Sequence, residues 1–415
     1  MTQPATWPQA REYQDAIQAP TLCFTDPRLK AARIHLNQMG MPQAATGKSA
    51  IVFKATAGGK DVAIRCFTRA ASDQRMRYLA LQRHLDSRPA YMVGFGYRDD
   101  EILVAKTRYP LVEMDWVDGE PLDKWVGQHL QRNGDVGVQA AAWRDIVGDM
   151  RKRKMAHGDI ANDNCMVSGS QLKLVDYDGC YIPDLRHKNP GESGAQHFQH
   201  PKRGGYYADN MDAFPSLVVY LSLAALHADP SLWEHFHKDK NLIFHADDYK
   251  KPEQTPIWGK LAQSPDTHVR SLAVTLARMC REPVNSLRSL PDVLAGEPPL
   301  WEQIALQDRA TGTRKASPQA PPQTPPASST DWIRDHVPNA AGPQVPAPTP
   351  LRPTPPPQPR PAPSRGTPPG PTAPRKTARR SAARTARAVV KAVFITIITI
   401  IVLIVVLAII GSMVH

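Results

Sequence analysis

The chain has 415 residues, enough for two ordinary domains or for one large domain with tails. Its 41 prolines and net charge of +12 would suit a disordered or nucleic-acid-binding protein, but both excesses are local. Thirteen basic and two acidic residues lie between Thr311 and His415, leaving residues 1–310 near +1. That balance argues for no nucleic acid partner, because such binding draws its affinity from phosphate neutralisation.

Residues 1–40 form an N-terminal extension without an apolar leader, so no signal peptide is predicted. The folded domain is expected over residues 41–310. Two β-branched stretches, Ile51-Val52-Phe53 and Val62-Ala63-Ile64, flank Ala57-Gly58-Gly59-Lys60, which predicts a hairpin. A helix is expected from about Ser72 to Leu85, and strands return at Ile102–Val104 and Leu111–Met114. Beyond Pro121 the pattern is helical, around Leu122–Leu130, Val138–Lys154, Asp212–His227 and Val269–Cys280. A β-rich front and a helical back predict an α+β, bilobal fold with a cleft between the lobes. The cysteines Cys23, Cys66, Cys165, Cys180 and Cys280 are scattered and lack C-x-x-C spacing, which predicts reduced, buried thiols.

The chemistry concentrates in His157-Gly158-Asp159-Ile160-Ala161-Asn162-Asp163-Asn164 and, after the strand-like Leu172–Val175, in Asp176-Tyr177-Asp178-Gly179. An Asp, an Asn five residues on and a second Asp at a strand end supply three oxygen ligands on neighbouring loops, the set a divalent cation bridging phosphates needs. Read alone, the same residues also suit ordinary turns.

In this order the elements resemble the protein kinase superfamily over roughly residues 40–300, and more narrowly a bacterial family of kinase-like proteins with H-G-D, D-Y-D-G and Phe198-Gln199-His200-Pro201. The resemblance implies ATP and Mg²⁺ as cofactors. It makes Asp159 the catalytic-loop Asp, Asn164 and Asp176 the metal pair, and Arg65 of Val62-Ala63-Ile64-Arg65 the phosphate-steadying cation in place of Lys. Gly47 falls in the phosphate loop Ala45–Val52, and Val52, Ala63, Met114 of the hinge Met114–Gly119 and Met166 line the adenine. Asp212 resembles the buried Asp that supports the catalytic loop, and His157 is expected to brace that loop. The embedded Gly47-Lys48-Ser49 is no Walker loop, because position 42 is Pro42.

Several residues depart from the kinase pattern. No Glu stands between Thr68 and Arg98 to pair with Arg65, and Gln82 is the best-placed substitute. Ala161 replaces a Lys that contacts the transferring phosphoryl group, which removes one transition-state cation. Gly158 replaces an Arg, and the loop from Gly179 to Pro201 offers only Tyr181 and Ser193 as hydroxyls, so switching by loop phosphorylation is not expected. His235, His237 and His245 lack the Cys or carboxylates of a metal site and are read as structural.

Residues 311–388 are expected to be a Pro-rich, basic, disordered linker, extended in its polyproline stretches and read first as a spacer, with docking of a Pro-rich-motif-binding module as the alternative. Residues 389–411 are expected to form a transmembrane helix, since the nineteen residues Ala392–Ile410 are apolar save Thr396 and Thr399 and span about 30 Å as a helix. Seven Lys/Arg from Arg375 to Lys391 place the preceding domain on the cytoplasmic side of the cell membrane and residues 412–415 outside. The expected function is a membrane-tethered serine/threonine protein kinase acting on a protein substrate. Left open are a pseudokinase used as a binding module and a small-molecule phosphotransferase.

Overall fold

Short helices open the chain, α1 (Ala10–Ala16), α2 (Pro20–Cys23) and α3 (Pro27–Lys30), and lead into a six-stranded antiparallel sheet. Its strands are β1 (Arg33–Ile34), β2 (Ala44–Thr46), β3 (Ala50–Ala57), β4 (Lys60–Phe67), β5 (Phe95–Val104) and β6 (Thr107–Asp115), in the order β1-β3-β4-β6-β5 with β2 also pairing β3. The computed structural model describes residues 7–303 apart from 71–72, 86, 132–133, 191–193 and 297. The linker, membrane helix and outer tail expected beyond residue 310 lie outside the described residues. Among the described residues no helix is long and apolar enough to cross a membrane.

The expected hairpin is β3–β4, closed by Gly58 and Gly59 at φ of 59° and 77°. Two successive positive φ values make a turn whose twist matches its strands, which is why glycine occupies both places. Alternation then sorts the side chains. Phe53, Ala55, Val62, Ile64, Cys66 and Leu111 face one way and join Tyr13, Ile17, Phe24 and Leu29 in an apolar cluster. The N-terminal extension is therefore a wall of the fold. It is fastened by Tyr13, whose hydroxyl donates to the Phe67 carbonyl at 2.8 Å, and by Arg98, which bridges Asp26 and Glu113 at 2.8 and 2.6 Å.

The opposite face of the sheet carries Val52, Ala63, Arg65, Val112 and Met114, aligned by the pairings Val52↔Arg65↔Val112 and Ala63↔Met114. Helix α4 (Gln74–His84) is the one expected from Ser72 to Leu85. Its Tyr78 and Leu81 enter the larger core together with Val112 and Met114.

The second half is helical around a three-stranded antiparallel sheet of β7 (Glu120–Pro121), β8 (Cys165–Ser168) and β9 (Gln171–Leu174). Helices α5 (Leu122–His129) and α6 (Asp135–Lys152) precede β8, and α7 (Ala213–Ala228) runs through the core with Phe214 to Leu226 all buried. A helix apolar on every side must be enclosed. Around it lie α8 (Leu232–Phe236), α9 (Ala246–Lys250), α10 (Pro256–Ala262), α11 (Thr267–Met279) and α12 (Leu290–Val293). The architecture is α+β. All five cysteines are buried and free of disulfides, and burial pushes the Cys23 and Cys280 thiols up to about 12.

Candidate active site

Asp159 lies on the loop between α6 and β8, and that loop is held from three sides. Asp212, at the start of α7, is buried, and its carboxylate accepts from the backbone N–H groups of His157 and of Gly158, the latter at 3.0 Å. Burial raises the Asp212 carboxyl above the usual range, against the pull of His157, Arg203 and those two amides. His157 donates from Nε2 to the Val175 carbonyl at 3.0 Å, and its Nδ1 accepts from the Asp159 amide at 3.4 Å, so it ties Asp159 to the strand end before Asp176. The structural role expected for His157 is the one observed.

Gly158 has a steric cause. Its φ is +84°, and a Cβ there would stand 2.2 Å from the Gly179 carbonyl oxygen and 2.7 Å from Met211 Cε. No arginine fits this position, because two loops cross at it.

Asp159 itself is half-buried. Oδ2 accepts from Asn164 Nδ2 at 3.0 Å, the same nitrogen donates to the Asp159 carbonyl at 2.8 Å, and Oδ1 accepts from the Ala195 amide at 3.0 Å. The Val175 amide bonds to the Asn164 carbonyl at 3.0 Å, which sets Asn164 beside the strand end leading to Asp176. Asp176 holds a φ of +63°, a conformation open to Asp at small cost. The structure thus joins Asp159 to Asn164, and the Asp159 charge is felt at Asp176.

Arg65 reaches Asp176 from β4, with Nη1 to Oδ2 at 2.8 Å, while Nη2 bonds to Asp178 Oδ2. Asp178 also accepts from the Tyr78 hydroxyl at 2.6 Å and from Gln74 Nε2 at 3.1 Å. This corrects the expectation for Gln82, which is exposed and donates to the Phe95 carbonyl at 2.9 Å, two turns along α4 from Gln74. The partner of Arg65 comes from the loop after β9, and α4 supplies hydrogen-bond donors to that partner. The sequence held one clue, a third-position Asp in Asp176-Tyr177-Asp178 together with an Arg whose two Nη groups can serve two carboxylates.

The electrostatics follow the contacts. Burial acts against the Arg65 charge, but Asp176 and Asp178 raise its pKa well above the ordinary arginine range. Burial would raise Asp178, yet Arg65, Tyr78 and Gln74 hold it below the usual carboxylate range. Burial raises Asp176 more than Arg65 lowers it, and the neighbouring Asp178 and Asp159 add to the rise.

The oxygen atoms here suit a hard cation. Asp176 Oδ1 meets only the Asp178 amide, at 3.5 Å, and Asn164 Oδ1 accepts no hydrogen bond among the described residues. Carboxylate and amide oxygens with open lone pairs are the donors Mg²⁺ takes. Among the described residues no group of three or more His, Cys, Asp and Glu side chains gathers for a metal, here or elsewhere, so the site offers two carboxylates and an amide at most; His235 and His237 bond to the carbonyls of Ser231 and Asn241.

The remaining predicted residues fall around this centre. Gly47 lies in the β2–β3 turn, its amide bonded to the Ala50 carbonyl at 2.8 Å, with Lys48 at the exposed tip. Val52, Ala63 and Met114 share the face of Arg65. Met166 sits on β8 between Cys165 and Val167, which join the core, so alternation turns it the other way. Gly119 lets the segment after Met114 pass against β8, since a Cβ there would stand 2.4 Å from the Val167 carbonyl oxygen. No family model matches the chain, and no curated protein gives a match.

Proposed function

We propose that the chain has a bilobal, protein-kinase-like fold and is an ATP-dependent kinase transferring the γ-phosphate to a serine or threonine of a protein substrate. The observation that carries this reading is the joint placement of Asp159 on Asn164 and of Arg65 on Asp176, on loops that converge at one end of β8 and β9. In this reading Asp159 orients the acceptor hydroxyl and takes its proton, and Arg65 steadies the phosphates. Asn164 and Asp176 would hold Mg²⁺, which when bound neutralises charge on the phosphate oxygens. Val52, Ala63, Met114 and Met166 form the apolar walls for the adenine.

A second reading, a pseudokinase binding module, is favoured by Ala161, a buried methyl two residues after Asp159 where a cation would serve transfer. Arg203, the buried cation of the neighbouring segment, makes no bond to Asp159 that would replace it. It is bonded to the carbonyls of Tyr206 and Met211 at 2.9 Å each, and its charge reaches Asp212 and Asp159.

The test is incubation of the full-length protein with γ-labelled ATP, Mg²⁺ and mixed protein substrates, beside Asp159→Asn. Label is expected on Ser or Thr, falling by on the order of 10²-fold or more in the variant, which keeps Mg·ATP binding. Wild-type protein that binds Mg·ATP yet transfers no more than Asp159→Asn supports the pseudokinase. The apolar run and basic flank at the C-terminus support a membrane tether with the domain on the cytoplasmic side.

A further inference from the structure

Arg65 is one cation between two carboxylates, Asp176 and Asp178, each taken by a different guanidinium nitrogen. Lysine has a single compact ammonium and cannot hold two carboxylates in the fixed, planar way that a guanidinium fork does. Helix α4, which faces this centre, contains no acid from Gln74 to His84. Asp73, just before it, is spent on Arg77 at 2.7 Å. What α4 offers is Gln74 and Tyr78, one turn apart on the same face, and both donate to Asp178. The direction of the usual contact is reversed, with the helix donating and the loop carrying the charge.

We propose that Asp178 is the positioning residue for Arg65, the carboxylate that aims its guanidinium at nucleotide phosphates, and that Arg65 and Asp178 form one compensated pair. The proposal rests on the nucleotide reading of this site. Arg65, with two carboxylates, keeps a net charge of −1 at the site, the charge a lysine between a helix carboxylate and Asp176 would give. The helix carboxylate is dispensable because Asp178 stands in the place it would fill, within reach of Gln74 Nε2 at 3.1 Å. Two buried atoms of the same cluster, Arg65 Nε and Gln74 Oε1, have no hydrogen-bond partner among the described residues. The unpaired Gln74 Oε1 is where Gln74→Glu would place a carboxylate oxygen, on a side chain already within 3.1 Å of Asp178.

The reversal has a consequence for regulation. If Asp178 positions Arg65, the phosphate anchor depends on the loop that carries Asp176, so metal site and anchor assemble together. Movement of α4 then acts on Arg65 only through Tyr78 and Gln74.

The experiment compares affinities of the full-length protein for Mg·ATP and for adenosine, because only the phosphate-dependent part of binding involves Arg65. Asp178→Asn is expected to lower the preference for Mg·ATP over adenosine about tenfold, with adenosine affinity unchanged. Gln74→Glu added to Asp178→Asn is expected to restore most of that preference by returning a carboxylate from the helix. Equal weakening of both ligands, or no recovery in the double variant, overturns the proposal by making Asp178 a support for the fold alone. Should Asp178→Asn fail to fold, Arg65→Lys decides, since losing the fork is expected to lower the same preference about tenfold and an unchanged preference overturns the pairing. If the wild type binds neither ligand, it is the nucleotide reading that falls. The Arg65–Asp178 pairing is then read from melting temperatures of Arg65→Lys, Asp178→Asn and their combination, where additive losses overturn it and a combined loss smaller than the sum supports it.

Discussion

At Gly158 the chain has no space for a side chain, and this single position governs how the loop carrying Asp159 meets the loop after Asp176. Gly158→Ala is expected to cost about 1–3 kcal/mol, because it combines a positive φ with a contact on the Gly179 carbonyl that only backbone movement can relieve. Chemical denaturation checks this, and a loss below about 0.5 kcal/mol would mean that the two loops separate freely. Arg77 offers a second residue-scale test. It is buried, pairs with Asp73 at 2.7 Å, donates to the Tyr207 hydroxyl at 3.1 Å and also reaches the Asn189 carbonyl. Arg77→Met removes three bonds at once from a buried position, but its partners are exposed or half-buried and can turn to water, so a loss of about 1–3 kcal/mol is expected from the same measurement. The roles expected for His157 and Asp212 were legible only through the resemblance of their motifs, since Asp212 acts on amides 54 and 55 residues away and His157 on a carbonyl 18 residues away. The role of Asp178 was not, since its partners Arg65, Gln74 and Tyr78 lie 100 or more residues earlier and meet it only once the sheet is formed.

Among the elements, those with a clear apolar period were readable. Strands β3, β4 and β6 and helices α5, α6, α7 and α11 fall within a few residues of their expected places, α4 begins two residues late, and β5 begins seven residues before the expected Ile102–Val104. The short helices α1 to α3 escaped notice because four to seven residues carry no helical period. Their stability comes from caps and from the sheet they cover. Asp26 caps α3 by accepting from the amides of Arg28 and Leu29 at 2.7 and 3.2 Å, and it pairs with Arg98. Burial would raise its pKa, but these partners bring it below the ordinary carboxylate value. A carboxylate with a depressed folded pKa contributes stability that is whole above its unfolded pKa, about 3.9, and is lost as pH falls through the folded value. Asp26→Ala is therefore expected to cost about 1 kcal/mol at pH 7, and the difference from wild type should shrink below about pH 4. Thermal melts of both proteins from pH 7 to 3.5 measure it; a difference that grows on acidification would contradict the assignment.

For the whole molecule, pH enters through histidine as well. His200 is buried, His227 and His268 are half-buried, and burial lowers the pKa of all three. The unfolded chain takes up these protons near pH 6.5 while the folded chain does not, so stability is expected to fall as pH drops from about 6.5 toward the folded values. Melting temperatures between pH 7.5 and 5.5 test this, and a flat profile would show that the rings protonate without penalty. The proposed membrane tether makes a separate prediction. Deleting residues 389–415 should release the protein to the soluble fraction with its melting temperature unchanged, whereas pelleting with membranes in high salt would require another anchor. A different consequence comes from the wall that residues 7–34 build on the outer face of the sheet. During synthesis these residues leave the ribosome first, yet the strands they cover are not all available until Asp115 has emerged. Helices this short do not persist alone, so Tyr13, Ile17, Phe24 and Leu29 must wait uncovered for some eighty residues of translation. A force-sensing arrest sequence placed at successive distances after Asp115 should record one cooperative folding event in wild type, and a weaker or later one when Phe24 is replaced by Ala.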